Sequence, residues 1–204
     1  MLNKMFDFQN PFWRWVSNIP HMVALSVLWV VCSLPVVTVI PATVALYATT
    51  VRHMRPDIKG IYRCYFKTFK EELKPGILLS VLWLLVGLLF FGAYCLLAMI
   101  SDASQLWAAI MLSYPLLWIP VVMVFVWMIG IQARFKCGCW KLHQNAIAFA
   151  FMNKLKSLLI IAITVACVVA ARFFFMILLV LPSLIIVFWS LFMESEFVAY
   201  FPKQ

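Results

Sequence analysis

Residues 76–100 run without a single charged side chain, and a second apolar run, 106–133, follows after a short polar turn. Each is longer than the ~20 residues a helix needs to cross the ~30 Å hydrocarbon core of a bilayer. A soluble fold would have to bury both on all sides. The rest of the chain gives it no means to do so: of 204 residues, 66% are apolar and 11% charged. An ordinary soluble domain carries about a quarter charged residues. The composition excludes a soluble enzyme, a disordered chain and a nucleic-acid binder working in water. An all-α membrane protein remains.

Five apolar runs are expected to cross: 21–51, 76–100, 106–133, 157–171 and 173–193. The first is overlong and holds Pro35 and Pro41. It reads either as one kinked span or as a re-entrant pair of half-helices, because each proline removes a backbone donor. Thr38 and Thr43 beside these prolines are placed to bond freed carbonyls. Pro115, Pro120 and Pro182 fall in the third and fifth runs. Together the five prolines are either kinks that shape a bundle or broken-helix sites of the kind that bind substrate in transporters.

The net charge of +9 is unevenly placed. Arg52, Arg55, Lys59, Arg63, Lys67, Lys70 and Lys74 form one basic stretch; Arg134, Lys136, Lys141, Lys154 and Lys156 form another. Basic loops between apolar runs are retained on the cytoplasmic side, where they meet anionic headgroups. The turn 101–105 has no Lys or Arg and belongs outside. This puts the C-terminus inside and, with five spans, the N-terminus outside. Residues 1–10 show no apolar signal-peptide core.

Two amphipathic helices are predicted on the inner face. Over 57–74, Ile58, Ile61, Tyr62, Tyr65, Phe66, Phe69 and Leu73 repeat at helical steps opposite the lysines and arginines. Asp57 is a candidate N-cap, and Pro75-Gly76 punctuates the end. Over 139–153, Trp140, Ile147, Ala148 and Phe151 share a face, continued by Leu155. Such helices suit the membrane interface. A weak internal repeat links the halves: Phe69–Lys74 reads F-K-E-E-L-K and Phe151–Lys156 reads F-M-N-K-L-K. Each unit would be span, basic interfacial helix, span. That register favours a single kinked span over 21–51.

Chemistry-bearing patterns are sparse. None of the seven acidic residues lies deep in an apolar run, which argues against a mid-membrane carboxylate relay. Zincin, nucleophile-elbow and Walker motifs are missing, so an enzyme is not expected, and no cofactor. Cys137, Cys139 and His143 supply at most part of a metal site; ordinary loop cysteines fit them better. Arg172, alone in a long apolar stretch, reads as the outer tip of a hairpin, with an anion or partner contact as the alternative. Trp13 and Arg14, in Asn10-Pro11-Phe12-Trp13-Arg14-Trp15, read as an interfacial anchor or a partner-docking site. Lys59, Arg63 and Lys67 are the candidate lipid or partner contacts of the basic face.

Two segments carry a family resemblance. One is Asn10-Pro11-Phe12-Trp13, then Leu28-Trp29, the stretch C-S-L-P-V-V-T-V-I-P-A-T from Cys32 to Thr43, and Ala45-Leu46-Tyr47. The other is Phe66-Lys67-Thr68-Phe69-Lys70 leading to Lys74-Pro75. With the closing Phe197 to Pro202, they resemble the YesL family of bacterial membrane proteins, a family of unknown function. Members often carry Gly where Ile40 stands and Asn where Glu72 stands. The resemblance implies a Gram-positive cytoplasmic membrane and a gene neighbourhood of carbohydrate ABC-transporter components. The expected role is then a non-catalytic accessory of a carbohydrate ABC permease. The alternative is a stand-alone small transporter or channel acting as an oligomer. Expected partners are anionic lipids and permease subunits, not nucleic acid.

Overall fold

The computed structural model describes residues 11–53, 60–100, 113–135, 138–173 and 180–200. Among them are seven α-helices, two 3-10 turns and no strand. The helices are α1 Pro11–Cys32, α2 Val39–His53, α3 Ile61–Ile100, α4 Trp118–Arg134, α5 Cys139–Met152, α6 Lys154–Phe173 and α7 Leu181–Tyr200. The all-α fold follows the apolar runs. Two helices, α3 and α7, are long and apolar enough to cross a membrane, or three if the bent pair α5–α6 counts as one. The boundaries depart from the expected arrangement in three places.

The run 21–51 is not one kinked span. It breaks after Cys32, turns through Ser33–Pro35, makes a 3-10 turn at Val36–Thr38 and restarts as α2. Trp29 Nε1 donates to Thr43 Oγ1 at 3.0 Å. In one continuous helix those residues would stand about 21 Å apart along the axis. The chain therefore doubles back, and α1 and α2 form a helical hairpin.

Residues 57–74 and 76–100 are not two elements. From Ile61 onward they form one helix of 40 residues with Pro75 inside it. Gly60, at φ +102°, opens this helix in a conformation that favours glycine. Asp57 and Lys59 lie outside the described residues. Pro75-Gly76 does not stop the helix, because Gly76 is a crossing point. A Cβ on Gly76 would sit 2.8 Å from Pro41 Cβ of α2. The absent side chain brings α2 against α3.

The second amphipathic segment does form its own helix. α5 meets α6 at 93° across Asn153. It buries Leu142, Ala146, Phe149 and Ala150, and it exposes Trp140, Ile147 and Phe151, with Leu155 beyond the bend also exposed. The shared face of Trp140, Ile147 and Phe151 thus points outward, and a second apolar face packs inward.

The last run is displaced. The final helix starts at Leu181 and continues to Tyr200, so residues 194–200 are helix rather than tail. Met193 and Phe197, one turn apart, are both fully buried, which carries the helical pattern past the first glutamate. The start of the third run, 106–112, lies outside the described residues. So do 174–179.

The prolines explain several of these shifts. Pro41 and Pro120 are each the third residue of their helix, and Pro182 is the second. Pro115 lies in the 3-10 turn Tyr114–Leu117 that precedes α4. First-turn amides have no intrahelical acceptor, so proline there costs no hydrogen bond. These prolines start helices rather than kinking them.

Helix α2 is the centre of the bundle. Ala42, Val44, Ala45, Leu46, Tyr47 and Ala48 are 0–4% exposed, and α1, α3, α4 and α7 all pack on it. The outer half of α3 is the opposite: Leu88, Leu89, Phe91 and Met99 are 63–85% exposed. A surface this apolar is stable against lipid and not against water.

The Gly76 crossing gives a paired prediction. Gly76→Ala should lower stability by about 1–3 kcal/mol, since the Pro41 ring cannot yield like a flexible chain. Gly87→Ala, where a Cβ meets nothing within 4 Å, should be neutral or stabilising, by up to about 1 kcal/mol. Thermal unfolding of both variants in detergent checks the contrast.

Candidate functional site

The reversal between α1 and α2 is held by its own side chains. Thr38 N donates to Pro35 O at 2.8 Å. The Thr38 hydroxyl lies 2.6 Å from Cys32 O and 2.7 Å from Pro35 O. Ser33 Oγ reaches Trp29 O at 2.7 Å, and Thr43 Oγ1 donates to Val39 O at 2.7 Å. The carbonyls at this break are bonded internally. Beside the tip, Val36, Ile40, Trp83, Trp118 and Phe125 line an almost wholly apolar cavity of about 280 Å³.

The other residues singled out from sequence scatter. Arg63 and Lys67 lie exposed on the inner half of α3, beside Tyr62 and Phe66, which are 42% and 43% exposed. Pro115, Pro120 and Pro182 sit at three separate helix starts. Trp13 and Arg14 fall in α1 and Arg172 in the last turn of α6; their side chains, like all of Lys59, lie outside the described residues. Cys137 does too. His143 Nδ1 lies 2.9 Å from Cys139 O and its ring stacks on Trp83.

What the fold does bring together is a belt of polar residues at one end of the bundle. Arg134, closing α4, pairs with Glu194 of α7. The Tyr47 hydroxyl of α2 points to the same carboxylate at 3.5 Å. The Arg134 guanidinium also lies 5.7 Å from the Phe197 ring centroid, within cation–π range. Lys156 of α6 pairs with Glu196 and lies 3.3 Å from Ser195 Oγ. Gln132 Nε2 donates to Glu72 Oε2 at 3.0 Å, joining α4 to α3. Four helices around α2 are thus tied at one level.

A second tie lies just below. Trp127, fully buried, donates Nε1 to Ser157 Oγ at 2.7 Å. Ser157 Oγ in turn lies 2.9 Å from Asn153 O, which also accepts the Ser157 amide, and 3.2 Å from Ala150 O at the α5–α6 bend. One hydroxyl therefore serves the bend and a buried indole together. Elsewhere Ser26 and Ser183 hydroxyls meet at 2.7 Å between α1 and α7, and Trp189 donates to Thr164 at 2.9 Å between α7 and α6.

Against the belt lies a cleft of about 380 Å³ between α3, α4 and α5. Glu71, Glu72 and Gln132 contribute its polar wall, and Leu79, Phe135 and Leu142 its apolar wall. The sequence reading had Glu71 and Glu72 only as acidic residues outside the runs, and it missed Gln132, Tyr47 and Ser157. The available signal was modest: lone Ser and Gln residues inside otherwise apolar runs.

An all-helical fold with a lipid-suited surface and helices long enough to cross defines an integral membrane protein. The family described as "Protein of unknown function, DUF624" matches residues 22–94. That match takes in half of α1, all of α2 and most of α3, where most of the sequence resemblance also lies. It stops well short of the closing Phe197 to Pro202 segment. No curated protein and no solved structure matches the chain.

Two substitutions test the ties. Ser157→Ala should cost about 1–3 kcal/mol, because it strands the buried Trp127 N–H. Arg134→Ala should cost less, about 1 kcal/mol, since its ion pair is partly solvated. Denaturation midpoints, with tryptophan fluorescence reporting on Trp127, check the order.

Proposed function

We propose that this chain is a non-catalytic adaptor subunit of a membrane transport complex, presenting a basic, aromatic face to its partner. The observation that carries the reading is the length of α3. Its 40 residues extend about 60 Å, twice the ~30 Å hydrocarbon thickness. The inner half therefore stands beyond the hydrocarbon. There Tyr62, Arg63, Phe66, Lys67 and Lys70 form an exposed face. Aromatic and arginine side chains are the favoured anchors of protein interfaces, and anionic headgroups are the natural neighbours of the same charges.

We place the basic face in the cytoplasm by the positive-inside rule. The apolar half of α3, then α4, α6 and α7 are the crossings, and the α1–α2 hairpin enters and returns from the basic side. The five-crossing count becomes four crossings and a hairpin, and the N-terminus moves to the inner side. The closely filled surroundings of α2 favour an adaptor over a transporter with its path inside one copy. A carbohydrate ABC permease as the partner, a bacterial cytoplasmic membrane and membership of the YesL family rest on the sequence resemblance.

The test is affinity isolation of the tagged chain from native membranes in mild detergent. Permease or ATPase subunits should be recovered in fixed ratio. Arg63→Gln/Lys67→Gln/Lys70→Gln should cut that recovery at least tenfold with helix content unchanged. Recovery of the chain alone, as a defined oligomer, would overturn the adaptor reading and favour the stand-alone transporter.

A further inference from the structure

The cleft between α3, α4 and α5 is lined by acceptors, in a chain whose net charge is +9. Glu72 accepts from Gln132 Nε2. That bond fixes which way the amide points, because a carboxylate can only accept. Gln132 Oε1 is therefore left as an acceptor. It is buried and has no hydrogen-bond partner, on a side chain 7% exposed. A buried acceptor without a donor costs about 1–3 kcal/mol unless something supplies one. Glu71 lines the same wall. Opposite stand Leu79, Phe135 and Leu142.

We infer that this cleft binds the primary ammonium group of an amine ligand, held by Glu72, Glu71 and Gln132 Oε1. A primary ammonium carries three N–H donors and no acceptor, which complements a wall of two carboxylates and an amide oxygen. Its methylene stem lies against the apolar wall. A quaternary ammonium has the charge but no N–H, so it leaves Gln132 Oε1 unsatisfied and is rejected. A neutral alcohol has one donor and no charge. Glu72 lies one turn before Gly76, where the apolar half of α3 begins. Ethanolamine headgroups and soluble amines both reach that level. The inference goes beyond the adaptor reading and stands without it.

The experiment uses the full chain in nanodiscs of phosphatidylglycerol containing equal phosphatidylethanolamine and phosphatidylcholine, read by native mass spectrometry. Soluble ethanolamine and choline are titrated in parallel by thermal shift. Retention of phosphatidylethanolamine at least tenfold over phosphatidylcholine, lost in Glu72→Gln and Gln132→Leu, supports the site with a lipid ligand. No lipid preference, but a saturable shift with ethanolamine and none with choline, supports it with a soluble amine. Glu72→Gln keeps an oxygen for Gln132 Nε2 and removes only the charge, so the fold is retained. Should Gln132→Leu fail to fold, the primary-over-quaternary preference and Glu72→Gln decide alone. Equal binding of primary and quaternary probes, binding undiminished in Glu72→Gln, or the absence of both a lipid preference and saturable binding of either soluble amine overturns the inference.

Discussion

A backbone that turns round where water is scarce must bring its own hydrogen-bond partners. The reversal at 33–38 meets that demand with hydroxyls: Ser33 and Thr38 bond the carbonyls of Trp29, Cys32 and Pro35. Everything else is arranged around this turn. It returns the chain as α2 through the centre of the bundle, and α2 has side chains small enough to be enclosed. The Pro41 ring then packs against Gly76 where a Cβ would not fit. Without the turn there is no central helix for α3, α4 and α7 to share.

The same economy recurs between helices. Three indole N–H groups donate to three hydroxyls: Trp29 to Thr43, Trp127 to Ser157, and Trp189 to Thr164. Each pair joins a large apolar body to a small polar residue, so packing area and a directional bond come from one contact. Where lipid removes much of the hydrophobic drive for helix association, such contacts fix rotation and register. The ion pairs Arg134–Glu194 and Lys156–Glu196 lie in the belt, where partial solvation lowers their desolvation cost.

Sequence reading was dependable where one segment decides its own state. The uncharged runs identified a membrane protein, and the stripe of Trp140, Ile147 and Phe151 identified α5. It failed where two segments decide together. Pro75-Gly76 has the composition of a helix stop. Only the presence of Pro41 across the interface makes Gly76 a crossing point inside a helix. First-turn and mid-helix prolines look alike in sequence, so Pro41, Pro120 and Pro182 offer kinks or broken-helix sites there, where the structure has helix starts. The belt was invisible because its partners are far apart, 60 residues for Gln132–Glu72 and 147 for Tyr47–Glu194. Glu194 and Glu196 lie past the last apolar run, though the helix carries them back to Arg134 and Lys156.

The two amphipathic segments end as mechanical opposites. α5 joins α6 through a corner at Asn153, so its plane is independent of how α6 leans in the bilayer. α3 has no such corner: its basic half and its lipid-facing half are one rod. A lean of α3 by ten degrees would sweep the far end of the inner half sideways by about 4 Å, taking a rise of 1.5 Å per residue. Mismatch with the bilayer thickness is one source of helix tilt, beside packing on neighbouring helices. The surface carrying Tyr62 and Lys67 thus works as the long arm of a lever whose short-range setting is the thickness of the lipid around it.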